Sequence, residues 1–170
     1  RRAFLRMKGS ERVVLGLGSN RGDSRSILRD AVEDISAVLR DLEVSSLYLT
    51  SPMDYPDQDD FFNLVVTGYY DSRPGNLLRE IQVIEARYGR DRAVEIPKGP
   101  RTIDIDIELF GERIIREPDL SVPHERMHER QFVLVPLVEL LPESADPVTG
   151  RSYRSILGEL PDQGVKKVGN

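Results

Sequence analysis

Asp104 and Asp106 are the side chains whose type and spacing point most directly to chemistry. They lie in "GPRTIDIDIELF", residues Gly99 to Phe110, where Ile103, Ile105, Ile107 and Leu109 alternate with Thr102, Asp104, Asp106 and Glu108. That alternation is the pattern of a β-strand with one buried face. Aspartate is depleted in strands, yet these two share a face, about 7 Å apart by strand geometry. Such a pair suits Mg²⁺, which takes one or two carboxylates and completes its shell with water and substrate phosphate. The upstream charges have the opposite sign: Arg90, Arg92, Lys98 and Arg101 stand against Asp91 and Glu95, in a chain of net charge −5. Metal-binding acid beside clustered arginine is what polyphosphate chemistry needs, because guanidinium groups bind phosphate oxygens bidentately and neutralise developing charge. A charged edge strand beside a solvated loop is the plainer alternative for either feature alone; together they favour phosphate.

The composition narrows the rest. A chain of 170 residues with 39% hydrophobic and 31% charged content fits one soluble globular domain. Its negative charge gives no global case for nucleic-acid binding. The absence of cysteine removes disulfides, thiol chemistry and Cys-based zinc sites, and fits a reducing compartment, so a cytoplasmic location is expected. No apolar run approaches a membrane span. Residues 1–10 are basic without the apolar core of a signal peptide, and the missing initial Met points to a processed or truncated chain. Residues 1–10 and 161–170 are expected to be tails around a single domain at 11–160.

The elements that must carry the two aspartates follow from periodicity. Val13 to Leu17 is a short apolar strand running into the turn-rich "GLGSNRGD". A helix is expected from about Arg25 to Leu39, with an apolar stripe through Ile27, Leu28, Ala31, Val32, Ile35, Val38 and Leu39, and Asp23 or Ser24 as its cap. Val44 to Thr50 and Phe61 to Tyr70 are the next two strands, joined through Ser51-Pro52 and "MDYPDQDD". A second helix starts near Pro74, capped by Ser72, and stops at Gly89. With the aspartate strand the order is β-α-β-β-α-β. This implies an α+β, ferredoxin-like antiparallel sheet with both helices on one face. C-terminal additions follow, including "FVLVPLVELL", which is expected to pack on the sheet. "GLGSNRGD" is neither a P-loop nor a dinucleotide fingerprint.

These residues resemble the 6-hydroxymethyl-7,8-dihydropterin pyrophosphokinases of folate biosynthesis. The likeness runs in order from about Val13 to Pro142: "GLGSN", "SSLYLTSP", "FFNLVV", "IQVIEARYGR", "GPRTIDIDIELFG" and "VPHERMHERQFVLVPLVELLPE". The most specific part is Gly-Pro-Arg-Thr-Ile-Asp-Ile-Asp followed by Val-Pro-His. The resemblance implies transfer of the β,γ-diphosphate of ATP to the pterin hydroxymethyl oxygen, with release of AMP. It assigns Asp104 and Asp106 to two Mg²⁺ ions, and Arg90 and Arg101 to phosphate binding and transfer. It places the pterin between Phe61 and Phe132, with Asn63 reading its edge and Thr50 and Met53 adding contacts. On the nucleotide side it places Gln82, Glu85, Lys98, Ile107, Ser121, His124 and Arg130. Lys98 stands where family members often carry Trp, and the preceding loop is one residue longer than in some relatives. Glu125 stands where an aromatic residue can occur, and receives no phosphate contact. The loops 52–60 and 91–98 are expected to close over the substrates. The expected partners are small molecules only, with no nucleic acid or membrane. The chain is expected to be monomeric and open to fusion with other folate enzymes.

Two other classes remain to be weighed. "HERMH", His124 to His128, satisfies the H-E-x-x-H pattern of zinc proteases, which needs one helix carrying both imidazoles and a third ligand. Pro123 places His124 at a helix start at best, and the sequence holds no third histidine. An RNA-binding sheet would show exposed aromatics on a basic face, and the acidic "DYPDQDD" and the strand aspartates oppose that.

Overall fold

A computed structural model describes residues 9–51, 57–89 and 102–169. The strand β1 (Glu11–Ser19) is followed by α1 (Ser24–Ile35), β2 (Arg40–Val44), β3 (Tyr48–Thr50), β4 (Phe61–Tyr70), α2 (Pro74–Arg87) and β5 (Asp104–Phe110). A small hairpin, β6 (Ile115–Glu117) and β7 (Leu120–Val122), leads through a 3₁₀ turn at Met127–Glu129 into α3 (Gln131–Leu140). The chain ends with α4 (Tyr153–Glu159) and β8 (Lys166–Lys167). The main sheet runs β5-β1-β4-β3-β8, with β2 also pairing β4, and every pairing is antiparallel.

The alternation along the strands separates two cores. Val13, Leu15, Leu17, Leu64 and Val66 face one way, onto Leu28, Ala31 and Ile35 of α1 and Leu77, Ile81 and Ile84 of α2. Val14, Val65 and Leu109 face the other way, onto Val133, Leu134 and Leu137 of α3 and Tyr153 and Ile156 of α4. The apolar run after Phe132 therefore does pack on the sheet, as a helix on the face opposite α1 and α2. Asp23 caps α1, accepting from the Ser26 amide at 3.3 Å. Pro74 opens α2 as expected, but Ser72 is not its cap. The capping position is Arg73, which makes no such bond, and the Ser72 hydroxyl instead accepts from Asn76 Nδ2 at 2.6 Å.

Three expectations need correction. The strand expected at Val44–Thr50 is broken. The Ser45 amide still donates to the Val65 carbonyl at 2.9 Å, but Ser45 Oγ accepts from the Val65 amide at 2.9 Å and the Ser46 amide donates to Glu139 at 2.9 Å, so side chains take over from the ladder between β2 and β3. Leu109 does not join the isoleucines. The β1–β5 register slips between Val14 and Leu15, opposite Leu109 and Ile107 respectively, so a bulge inserts Glu108 and turns Leu109 to the α3 side. The end of the chain is not a loose tail, because Lys166 and Lys167 pair with Leu49 and Tyr48, and the Val168 amide donates to the Leu47 carbonyl at 2.8 Å.

Candidate active site

The strand that carries Asp104 and Asp106 is held from both sides. Ile103, Ile105 and Ile107 are buried toward α1 and α2, which turns the two aspartates to the opposite face. There they line a cavity of about 420 Å³, within the usual size range of a small-molecule site. Across the sheet, Gly18 is the partner of Asp104 and Gly16 the partner of Asp106. On this face each acid therefore sits beside a residue with no side chain, which leaves the cavity floor open. The glycines are required by close approach. A Cβ on Gly16 would lie 2.8 Å from Glu108 Oε1, and one on Gly18 would lie 2.9 Å from Asn63 Nδ2.

The opposite wall is built by β3 and β4. Thr50 and Asn63 are both buried, and the Thr50 hydroxyl donates to Asn63 Oδ1 at 2.5 Å. That bond satisfies the amide oxygen and holds the amide nitrogen over Gly18. Phe61, two residues before Asn63 and on the same strand face, lines the same cavity. The chain entering β4 is tied to the "GLGSN" turn, since Asn20 Nδ2 donates to Gln58 Oε1 at 2.8 Å and to the Asp59 carbonyl at 2.9 Å. The third wall is the start of α3, where the Arg130 guanidinium sits over the Phe132 ring at 5.4 Å.

The structure thus brings Thr50, Phe61, Asn63, Asp104, Asp106, Arg130 and Phe132 to one cavity. It places other expected residues elsewhere. Gln82 is exposed on α2. Glu85 is buried, and its Oε2 accepts from the Ile105 amide at 2.9 Å, which ties α2 to the aspartate strand. Ile107 belongs to the core under α1 and α2, and Ser121 pairs with Arg116 in the small hairpin. His124 lies beside β5, its amide donating to the Glu108 carbonyl at 2.9 Å and its Nδ1 accepting from the Arg126 amide at 3.3 Å. Burial, and then the nearby Arg130, hold its imidazole below the ordinary histidine range, so it is neutral at pH 7. Met53, Arg90, Lys98 and Arg101 lie outside the described residues, as do the loop 91–98 and most of the loop 52–60. "HERMH" forms a 3₁₀ turn over Met127–Glu129 preceded by His124, not the α-helix a zinc-protease pair requires.

Glu108 has no functional role in the sequence reading, although it continues the every-second-residue spacing of the two aspartates. It is 1% exposed, lines the cavity, and its Oε2 has no hydrogen-bond partner. Burial and then the charge of Asp106 raise its carboxyl well above the usual range, while Arg130 pulls in the opposite direction. Gly16 and Gly18 carry the same spacing on β1, and that repeat was the available signal for the open floor. Leu160 and Gln163 also line the cavity, with no local signal at all. Among the described residues no three ligating side chains converge as a metal cage. Two hard carboxylates facing an open cavity fit Mg²⁺, which completes its shell with substrate oxygens and water.

Comparison with known proteins gives the family. Residues 14–142 match the sequence profile of 7,8-dihydro-6-hydroxymethylpterin-pyrophosphokinase (HPPK). The chain is 37% identical over 160 residues to 2-amino-4-hydroxy-6-hydroxymethyldihydropteridine pyrophosphokinase of Pseudomonas aeruginosa, covering 93% of this chain and 97% of that protein. It is 39% identical over 160 residues to Folic acid synthesis protein fol1 of Pneumocystis carinii, but spans only 21% of that much longer protein. In structure it superposes on Plasmodium falciparum HPPK-DHPS with a TM-score of 0.68 at 18% identity, covering 88% of this chain and 44% of the other, a likeness of fold. The motifs around the two aspartates, the profile match over most of the chain and the near full-length bacterial relative agree, and the chain belongs to the 7,8-dihydro-6-hydroxymethylpterin-pyrophosphokinase family.

Proposed function

We propose that this chain transfers the diphosphate of ATP to the hydroxyl of 6-hydroxymethyl-7,8-dihydropterin, releasing AMP, as a step of folate biosynthesis. The observation that carries this reading is the shared cavity: two carboxylates on a rigid strand at one side, two phenylalanines and an oriented amide at the others. Phe61 and Phe132 stack on the two faces of the flat heterocycle. Asn63, its oxygen occupied by Thr50, offers its amide nitrogen to the ring edge, and Met53 adds a contact from the preceding loop. The hydroxymethyl group then points toward Asp104 and Asp106, the residues that would hold two Mg²⁺ ions. Bound there, the metal would supply charge neutralisation for the phosphates.

In the reaction the hydroxyl oxygen forms a bond to the β-phosphorus as the bond between that phosphorus and the α,β-bridging oxygen breaks. The hydroxyl proton passes to solvent water, and AMP departs with the bridging oxygen. Arg90 and Arg101 bind the transferring phosphates, and Arg130, Lys98, Ser121 and His124 serve the nucleotide side; Gln82, Glu85 and Ile107, also expected there, belong to the α2 side of the strand, where Glu85 holds the Ile105 amide. His124 serves there as a hydrogen-bonding group. No side chain is needed as a strong general base; positioning and charge neutralisation do most of the work. The order β5-β1-β4-β3 with α1 and α2 on one face is a split β-α-β arrangement, which we read as ferredoxin-like with a broken second strand and C-terminal additions. We take the domain to begin at residue 11 and to run past residue 160, since β8 pairs with β3, and to act as a cytoplasmic monomer. Since the chain spans about a fifth of the fol1 proteins it matches, fusion to other folate enzymes is part of the same proposal.

The test is incubation with Mg·ATP and hydroxymethyldihydropterin, followed by separation of nucleotides. AMP appearing in step with pterin diphosphate supports the reading. ADP as the nucleotide product, or no pterin-dependent turnover, overturns it.

A further inference from the structure

We infer that Gln163, in the C-terminal segment beyond the family-matching residues, is a positioning residue that sets Phe132 against the opposite wall of the cavity. Phe132 sits in the first turn of α3, and that helix has no side-chain cap of its own, since Arg130 at the capping position makes no such bond. Helix starts leave amide groups unsatisfied, and here the cap comes from a residue 32 positions away. The Gln131 amide donates to Gln163 Oε1 at 2.9 Å, and the Gln163 amide donates back to Gln131 Oε1 at 2.8 Å. Gln163 Nε2 also donates to the Glu129 carbonyl at 2.9 Å. Three hydrogen bonds thus fasten the two sides of Arg130, directly before Phe132.

The same segment also reaches the other wall. Three residues after Gln163, Lys166 pairs with Leu49, next to Thr50. Leu160 and Gln163 of this segment line the cavity. One short stretch of chain therefore spans from the α3 wall carrying Phe132 to the strand beside Thr50 and Phe61. A flat ring stacked between two aromatics gains from both only when their gap is held near its own thickness, and hydrogen bonds across a helix start hold such a gap without filling it. A cap that served the helix alone would need neither a reciprocal bond nor an attachment to β3.

The inference rests on the pterin reading of the cavity, and the experiment separates the two. Binding of hydroxymethyldihydropterin, in the presence of Mg²⁺ and a non-hydrolysable ATP analogue, is measured for wild type, Gln163→Ala, Phe132→Ala and the double variant. The affinity for the ATP analogue is measured alongside. Gln163→Ala is expected to weaken pterin binding about tenfold, the scale of one or two lost neutral hydrogen bonds, with analogue affinity within about twofold of wild type. Gln163→Glu keeps the acceptor for the Gln131 amide but replaces the donor to the Glu129 carbonyl with an acceptor, so it is expected to recover little of that loss. In the Phe132→Ala background, Gln163→Ala is expected to have almost no further effect, because the residue acts through the ring. Full independent losses in the double variant, or equal weakening of both ligands, overturn the inference and leave the pterin reading standing. Unchanged pterin affinity in Phe132→Ala overturns both.

Discussion

The two faces of the central sheet are made by alternate residues of the same strands, and they have opposite designs. The α1/α2 face is filled by Val13, Leu15, Leu17, Ile105, Ile107, Leu77 and Ile81, all nearly inaccessible to solvent. The α3 face carries an apolar patch only at one end, around Val14, Val65 and Leu109. At its other end it presents Gly16, Gly18, Asp104, Asp106 and Glu108, whose Oε2 has no hydrogen-bond partner, around a cavity. A close-packed face contributes stability through burial; a face of glycines and repelling acids does not. The contrast separates the two tasks, and the rigid face holds the acids of the other at a fixed spacing.

That division makes the faces answer differently to substitution. Asp104→Ala or Asp106→Ala should reduce AMP formation by about a thousandfold, near 4 kcal/mol of transition-state stabilisation, with the metal-free protein still folded. Turnover within tenfold of wild type in either variant would remove that acid from the metal site. Ile81→Ala on the packed face should do the reverse, costing about 2–5 kcal/mol in urea unfolding while the folded fraction keeps its turnover number. Gly16→Ala belongs to both categories, since its Cβ would meet the buried Glu108 carboxyl at 2.8 Å. It should cost about 1–3 kcal/mol and also impair pterin binding, and loss of stability alone would show that the open floor is not part of the site. For Phe61→Ala the expected change is about tenfold weaker pterin binding at unaltered ATP affinity; the opposite split would reassign the ring.

The smallest effect lies at the edge of the sheet. Burial opposes ionisation of Glu139, but hydrogen bonds from Tyr48 and Ser46 outweigh it and hold the carboxyl below its usual range. A carboxyl depressed in the folded state stabilises above its unfolded pKa, and the contribution disappears as pH falls through the folded value. Because Glu139 is largely exposed, Glu139→Gln should cost less than about 1 kcal/mol at pH 7, and progressively less as the pH falls through the folded carboxyl's lowered range, read from thermal midpoints across acid pH.

Much of this molecule was legible in advance because its signals are local. The bounds of β4 and the start of α2 follow from periodicity and Pro74, and the aspartate strand is recognisable from its alternation. The break at Ser45 was less legible, since a serine in a strand becomes an interruption only when a partner such as the Val65 amide faces its hydroxyl. The placement of Glu85 was also hidden, because its tie to the Ile105 amide joins elements 20 residues apart. Phe61, Asn63 and Phe132 were assigned through family resemblance, and nothing in their own neighbourhoods says that they share a cavity.

By itself the sequence determined which residues alternate, and therefore that Asp104 and Asp106 share one face of a strand anchored by isoleucines, because side-chain direction in a strand is a property of neighbouring residues. Tertiary structure decided what stands across from them. The register sets Gly18 and Gly16 opposite the two acids, and the bulge turns Leu109 to the side of Glu108. The C-terminal segment returns to join α3 to β3 through Gln163 and Lys166. Each of these depends on hydrogen bonds between residues far apart in the chain, which no local pattern encodes and only the folded sheet can form.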